Sequence, residues 1–262
     1  GKEMMESLRL DEWEYSVTPQ GVVLTGYDGD AGRVEVPGRI GGRRVDALGE
    51  RLFAKRGELS EILLPEGLRL IGDNVFFGCT GLVALRIPDG VESIGECAFA
   101  NCASLFSLSL PEGLLTLGGG ALDSCDAMPL VYLPERLCAF FADPFAGYRG
   151  RLSLKEDHPG LQMRDGVLIS RDGKTLIHYP STRQDMDYAV PEGVERILPW
   201  AFTSARVTAV HLPDSMKMLP SMAFLHCTRL STLRVPEGCA VAEDAIAGCP
   251  RLEKRARRKS DD

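Results

Sequence analysis

Six prolines constrain what this chain can fold into. Pro65, Pro88, Pro111 and Pro134 lie 23 residues apart, and Pro213 and Pro236 repeat the interval. Around them runs one template: an apolar residue, two others, apolar-x-apolar-Pro, an acidic residue, usually Gly, a second apolar strip, then Ala/Val-Phe, Cys and Leu. Self-similarity at a period of about 20 to 50 residues marks a solenoid. A unit this short cannot bury its own apolar face and must stack on its neighbours.

Ser60–Leu82, Val83–Leu105, Phe106–Met128 and Thr208–Leu230 carry the template in full. Gly32–Leu59 has five extra residues after Pro37, Pro129–Leu152 has one extra, and Met186–Val207 and Ser231–Leu252 are each one short. The count is about eight coils, five before and three after an interruption at Ser153–Asp185. Within one coil, the alternation Leu85-Arg86-Ile87 predicts a short half-buried strand. Pro88 ends it, since proline has no ladder donor. Val91 and Ile94 form a second apolar strip, and Ala98-Phe99 fills the bend before Cys102.

The segments PEGLRLIGDNVFFGC and PDGVESIGECAFANC resemble the BspA-type leucine-rich repeat of bacterial surface and secreted proteins. EWEYSVTPQGVVLTGYDGD and the residues after it resemble that family's opening hairpin and lengthened first repeat; MRDGVLISRDGKTLIHYP resembles a hairpin that punctuates such arrays. The likeness runs from Glu12 to Leu252. It implies a β-rich leucine-rich-repeat solenoid of the α/β repeat class and a general binding role, because fold does not fix function. The expected organisation is a single array over 12–252: a hairpin cap at 12–31, five coils at 32–152, an inserted hairpin at 153–185 and three coils at 186–252. A basic flexible tail is expected at 253–262.

Charged residues at 26% and hydrophobic ones at 44% are ordinary for a soluble chain. A net charge of −7 gives no nucleic-acid footprint. No apolar run approaches the roughly 18 residues of a membrane span, so no membrane insertion is expected. The opening GKEMMESLRL has no hydrophobic signal core, and its first Gly in place of Met reads as a cloning scar, which leaves a trimmed signal peptide open. The resemblance implies the cell surface or secretion. The residues themselves supply no address, and a cytoplasmic home stays open.

Five of the eight cysteines, Cys79, Cys102, Cys125, Cys227 and Cys249, occupy one repeat position, held in other coils by Arg56, Tyr148 and Ala205. A residue recurring once per coil is a packing ladder, and free buried thiols are expected there. Disulfides between adjacent coils would need favourable Cβ directions. No C-x₂-C pair exists, so no metal or other cofactor is expected.

Strings that look catalytic dissolve. Gly173-Lys174-Thr175 resembles the end of a phosphate loop, but Leu168 stands where the upstream glycine is required, and Arg171-Asp172-Gly173 reads as a hairpin turn. Asp28-Gly29-Asp30 opens like a calcium loop and lacks its continuation. His158 precedes a proline, His178 lies on the inserted hairpin, His211 on a strand face and His226 beside Cys227. No set of catalytic residue types lines up in one ladder, and no enzyme is expected.

Two rows of residues remain. An acidic one follows the coil prolines: Glu66, Asp89, Glu112, Glu135, Glu192, Asp214 and Glu237. Local turn chemistry accounts for it, and a stripe for a basic partner is the alternative. The other row varies while the core repeats. It is the outward strand position, with Leu63, Arg86, Ser109 and Tyr132, flanked by Leu130, in the first array and His211 and Arg234 in the second. These seven residues are the candidate binding face, for an unknown protein or glycan, on a chain expected to be a monomer. The alternative function is a passive spacer within a larger surface protein.

Overall fold

The structure, a computed structural model, describes residues 6–253. Beyond Glu253 the basic tail expected from the sequence lies outside the described residues. The chain divides into two units, Gly1–Ala139 with Gly150–Lys155, and Phe140–Arg149 with Glu156–Asp262.

In the first unit three antiparallel strands, Leu8–Leu10, Trp13–Thr18 and Gly21–Tyr27, form the cap. It begins ahead of the expected Glu12. The last of these strands pairs in parallel with Arg43–Leu48, which continues to Leu70–Ile71, Ser93–Ile94 and Thr116–Leu117. A second set of parallel strands carries the apolar-x-apolar positions: Arg33–Glu35 with Glu61–Leu63, Ala84–Arg86 with Ser107–Ser109, and Leu130–Tyr132 with Arg151–Ser153. The third side of each coil has no strand. There the chain turns, and amides still reach the next coil, as in Phe53 N to Val75 O (2.8 Å), Phe76 N to Ala98 O (2.8 Å) and Phe99 N to Ala121 O (2.9 Å).

That third side bends through pairs of left-handed residues four apart: Asn74 with Gly78, Cys97 with Asn101, Trp200 with Ser204, Met222 with His226. Asn74, Gly78 and Asn101 take this conformation at little cost, whereas Cys97, Trp200, Ser204, Met222 and His226 adopt it without that ease. Inside the bend the aromatic rings stack: Phe53 on Phe76 with centroids 5.8 Å apart, Phe76 on Phe99 at 5.2 Å. Trp13 and Tyr27 of the cap close the stack against Phe53. Each of these phenylalanines is fully buried, a contribution of about 1.5–3 kcal/mol per ring.

The second unit repeats the plan. Leu161–Arg164, Val167–Ser170 and Thr175–His178 are antiparallel. Thr175–His178 then pairs in parallel with Arg196–Ile197, followed by Met218–Leu219 and Ala240–Val241. Asp187–Ala189, Ala209–His211 and Thr232–Arg234 form the other ladder. Tyr179 stacks on Phe202 at 4.8 Å, much as the cap aromatics close the first array.

The solenoid has about ten turns at a spacing of roughly 23 residues, where the repeat alone counts eight. The hairpins account for the difference. Each sends its last strand into a parallel ladder and so supplies a turn, although its sequence does not carry the template.

Candidate binding face

Strand alternation decides which side chains face outward. In Glu61–Leu63, Ala84–Arg86, Ser107–Ser109 and Leu130–Tyr132 the middle residue is buried and both flanking residues are exposed. The same holds in Asp187–Ala189, while in Ala209–His211 Val210 is buried and His211 exposed. Parallel pairing in register then lines the outward residues into rows. Arg86 lies beside Ser109, Glu35 beside Leu63 and Tyr132 beside Ser153; in the second unit Ala189, His211 and Arg234 follow one another. All seven residues picked from the sequence are therefore at the surface. In the first unit Leu63, Arg86, Ser109, Leu130 and Tyr132 share one ladder side, and in the second His211 and Arg234 share another.

The acidic row is not a separate edge. Arg86 Nη1 donates to Glu66 Oε1 at 2.6 Å, and Lys155 Nζ to Glu135 Oε1 at 2.5 Å. In both pairs the acid after the proline reaches a cation 20 residues on, one coil further along. The hydrogen bond to Glu66 and its charge hold the Arg86 guanidinium pKa above its ordinary value. His211 Nε2 pairs with Asp187 Oδ1 at 2.6 Å. Strand face and acidic row are thus neighbouring lanes of one surface. The signal was legible as an acid-to-base spacing of 20, which sequence reasoning passed over. Asp214 and Arg234 have the same spacing, yet no ion pair joins them: aspartate is one methylene shorter than the glutamates that bridge. Around them opens a groove of about 630 Å³ lined by Glu192, His211, Asp214, Arg234 and Glu237.

Apolar side chains are exposed on and just ahead of the strands of the first unit. Tyr132 is 37% exposed and Leu130 52%, and Val83 and Phe106, just ahead of their strands, are 52% and 60% exposed. Phe106 N donates to Val83 O at 2.8 Å, so these two sit on adjoining coils. The sequence offered a clue to them as well, since Ser60, Thr208 and Ser231 hold that coil position elsewhere.

The remaining candidates are architectural. Asp172 Oδ1 accepts from Ser170 Oγ (2.6 Å) and Lys174 N (3.0 Å), so Gly173-Lys174-Thr175 belongs to a hairpin turn. Asp28 pairs with Arg9. His158 is buried, its Nδ1 accepting from Gly160 N and Leu161 N, both at 3.1 Å. His226 is exposed in the left-handed position of a turn while Cys227 beside it is buried. His178 meets Asp143 in the interior. The five ladder thiols are buried, and each donates to the carbonyl of the phenylalanine in the preceding coil, from Cys79 to Phe53 O (3.2 Å) through Cys249 to Phe224 O (3.1 Å). Among the described residues no group of three or more His, Cys, Asp or Glu could hold a metal ion, and no helix is long and apolar enough to cross a membrane.

Coils stacked in parallel register around an apolar interior, with a variable outward strand row, define a leucine-rich-repeat solenoid. The chain belongs to the BspA type leucine rich repeat family: six copies of that repeat region match residues 46–150 and 186–257, more than half of its length. Among solved structures it is similar to a leucine rich cell surface protein from Faecalibacterium prausnitzii, at 20% identity and a TM-score of 0.57, over 96% of this chain and 88% of that one. It is also similar to the pneumococcal vaccine antigen PcpA (17% identity, TM-score 0.63, 91% of this chain and 72% of that one). A leucine-rich repeat protein from Eubacterium ventriosum matches at 12% identity and a TM-score of 0.53, over 92% and 93%. No curated protein matches the chain.

Proposed function

We propose that this protein is a non-enzymatic binding module, acting at the cell surface or in secreted form, that holds a protein or a surface glycan on its outward strand face. One observation carries the reading. In the first unit Leu130, Tyr132 and Phe106 expose apolar and aromatic area on the same ladder side that carries the ion-paired Arg86, over a core that repeats unchanged. Aromatic and arginine side chains dominate binding energy at interfaces, and solenoid ladders offer extended surfaces for them. Two similar structures, a leucine rich cell surface protein and a vaccine antigen, support the location.

The test is a panel of immobilised glycans and surface proteins probed with the wild-type chain and with Arg86→Ala/Tyr132→Ala. The double variant is expected to lose at least about tenfold in affinity for whatever the wild type retains, at a loss of roughly 1.4 kcal/mol or more. Its thermal midpoint should stay nearly unchanged, since neither side chain belongs to the core. Equal binding by both proteins would move the docking face elsewhere. A wild type that retains nothing would favour the spacer.

A further inference from the structure

We infer that the partner held on the outward strand face of the first unit is a polypeptide segment carrying apolar side chains beside lysine or arginine, a statement that rests on that face being the binding surface. The face has two lanes. One is apolar: Val83 and Phe106 stand exposed on adjoining coils just ahead of their strands, and Leu130 and Tyr132 are exposed on the next strand. The other is the acid after each coil proline, which lies six residues beyond Val83 and Phe106, at Asp89 and Glu112. Six residues span at most about 20 Å of extended chain, so one short segment can lie over both lanes.

Charge complementarity selects the occupant. Glu66 and Glu135, on either side, are paired with Arg86 and Lys155 one coil on. The same offset of 20 residues leads from Asp89 and Glu112 to Ser109 and Tyr132, which are not cations. Both acids are exposed, and no ion pair joins either to a cation among the described residues. The deficit extends past these two positions. From Ile87 to Glu135 the chain holds seven acidic residues and no Lys, Arg or His, in a protein with 30 Lys and Arg. The middle coils therefore present a negative field that no side chain of their own offsets. Such a field draws cationic groups and repels phosphates and carboxylates, which sets it against nucleic acid, anionic lipid and acidic proteins.

Side-chain chemistry selects a polypeptide over a glycan. Between the lanes the exposed strand residues of the two middle coils are Ala84, Ser107 and Ser109, with Arg86 turned to Glu66. Small and aliphatic side chains offer few donors and acceptors to a sugar ring, and hydroxyls covered without partners are costly. The same surface suits the apolar side chains of a peptide, with Phe106 and Tyr132 as aromatic anchors. Lysine or arginine alongside would meet Asp89 and Glu112 as Arg86 meets Glu66.

The experiment measures binding of the full chain to a peptide of alternating leucine and lysine, with leucine–glutamate and serine–lysine peptides and oligomeric glucosamine as comparisons. The leucine–lysine peptide is expected to bind at least about tenfold more tightly than the other three. Asp89→Asn/Glu112→Gln should weaken it at least about threefold, as for the loss of two exposed ion pairs. Phe106→Ser/Leu130→Ser should weaken it at least about tenfold. Glu156→Gln/Asp157→Asn, exposed acids of the second unit with the same change of charge, should shift it less than about twofold. Equal losses in the two acid variants, or equal binding of the serine–lysine peptide or the glucosamine oligomer, overturn the basic, apolar partner. Should a variant not fold, cross-linking of the leucine–lysine peptide to the wild type decides: adducts within 83–135 support it, and adducts confined elsewhere overturn it. A glycan or an acidic protein that the wild type holds and Arg86→Ala/Tyr132→Ala loses would overturn the basic partner and leave the binding face standing.

Discussion

The cysteine ladder shows how a single residue type is chosen by a repeat. Each thiol is small enough for the bend and reaches back 26 residues in the first unit, or 25 in the second, to a phenylalanine carbonyl. Its recurrence was visible in the sequence as a packing ladder. Its acceptor was not, because that acceptor is a main-chain oxygen one coil away. At Arg56 the template lacks the cysteine, and the guanidinium fills in by donating to Gly29 O (2.8 Å) and Tyr27 O and lying over the Tyr27 ring. Burial raises the Cys79 and Cys125 thiols to about 12 from an ordinary 9.0. A raised thiol pKa stabilises the fold below the unfolded value, and that stability is lost as pH climbs from about 9 towards 12. Labelling of the native protein at pH 8 is therefore expected to mark the exposed Cys138 first and the five ladder thiols only after unfolding. Rapid native labelling of Cys102 would contradict the burial account.

Among the elements, the bend after the second short strand makes the sharpest demand. A Cβ added at Gly95 would lie 2.5 Å from Asp73 N and 2.6 Å from Gly72 C, main-chain atoms that cannot yield. Gly95→Ala is expected to cost about 2–3 kcal/mol and lower the thermal midpoint by roughly 5–10 °C. Gly90→Ala is the control. Its Cβ would meet nothing closer than 3.5 Å, so its melt should match the wild type, and equal losses in the two variants would refute the steric argument. In the second unit Leu198 and Pro220 hold the position of Gly95, so the close approach belongs to the first array. Strands such as Ala84–Arg86 were legible because alternation and a terminal proline specify them locally. The hairpins were legible as hairpins, but not as turns of the solenoid, since parallel pairing of Thr175–His178 with Arg196–Ile197 leaves no mark on either segment. Asp143 was illegible for a related reason. Its partner His178 is 35 residues away, and neither stands in the template. On the binding face, outward positions such as Leu63 and Arg86 followed from alternation, while the Glu66 contact needed the neighbouring coil.

For the molecule as a whole, stability is close to a sum over neighbouring coils. Removal of residues 83–105, one full period, would leave every rung a partner of the kind it now has: Ser109 beside Leu63, the Cys125 thiol near Phe76 O, Ser93–Ile94 replaced by Thr116–Leu117 beside Leu70–Ile71. That variant is expected to fold to the same circular-dichroism signature with a lower melting point. Removal of 84–103, three residues short of a period, should abolish cooperative melting, because alternation and bend glycines no longer coincide across the junction. Indistinguishable melts for the two deletions would show that register does not govern assembly. The in-register rungs thus have a meaning for heredity. An unequal crossover that gains or drops 23 codons leaves the interior intact and shifts which outward side chains stand next to one another, so new surfaces can arise here by changes of length as readily as by changes of residue.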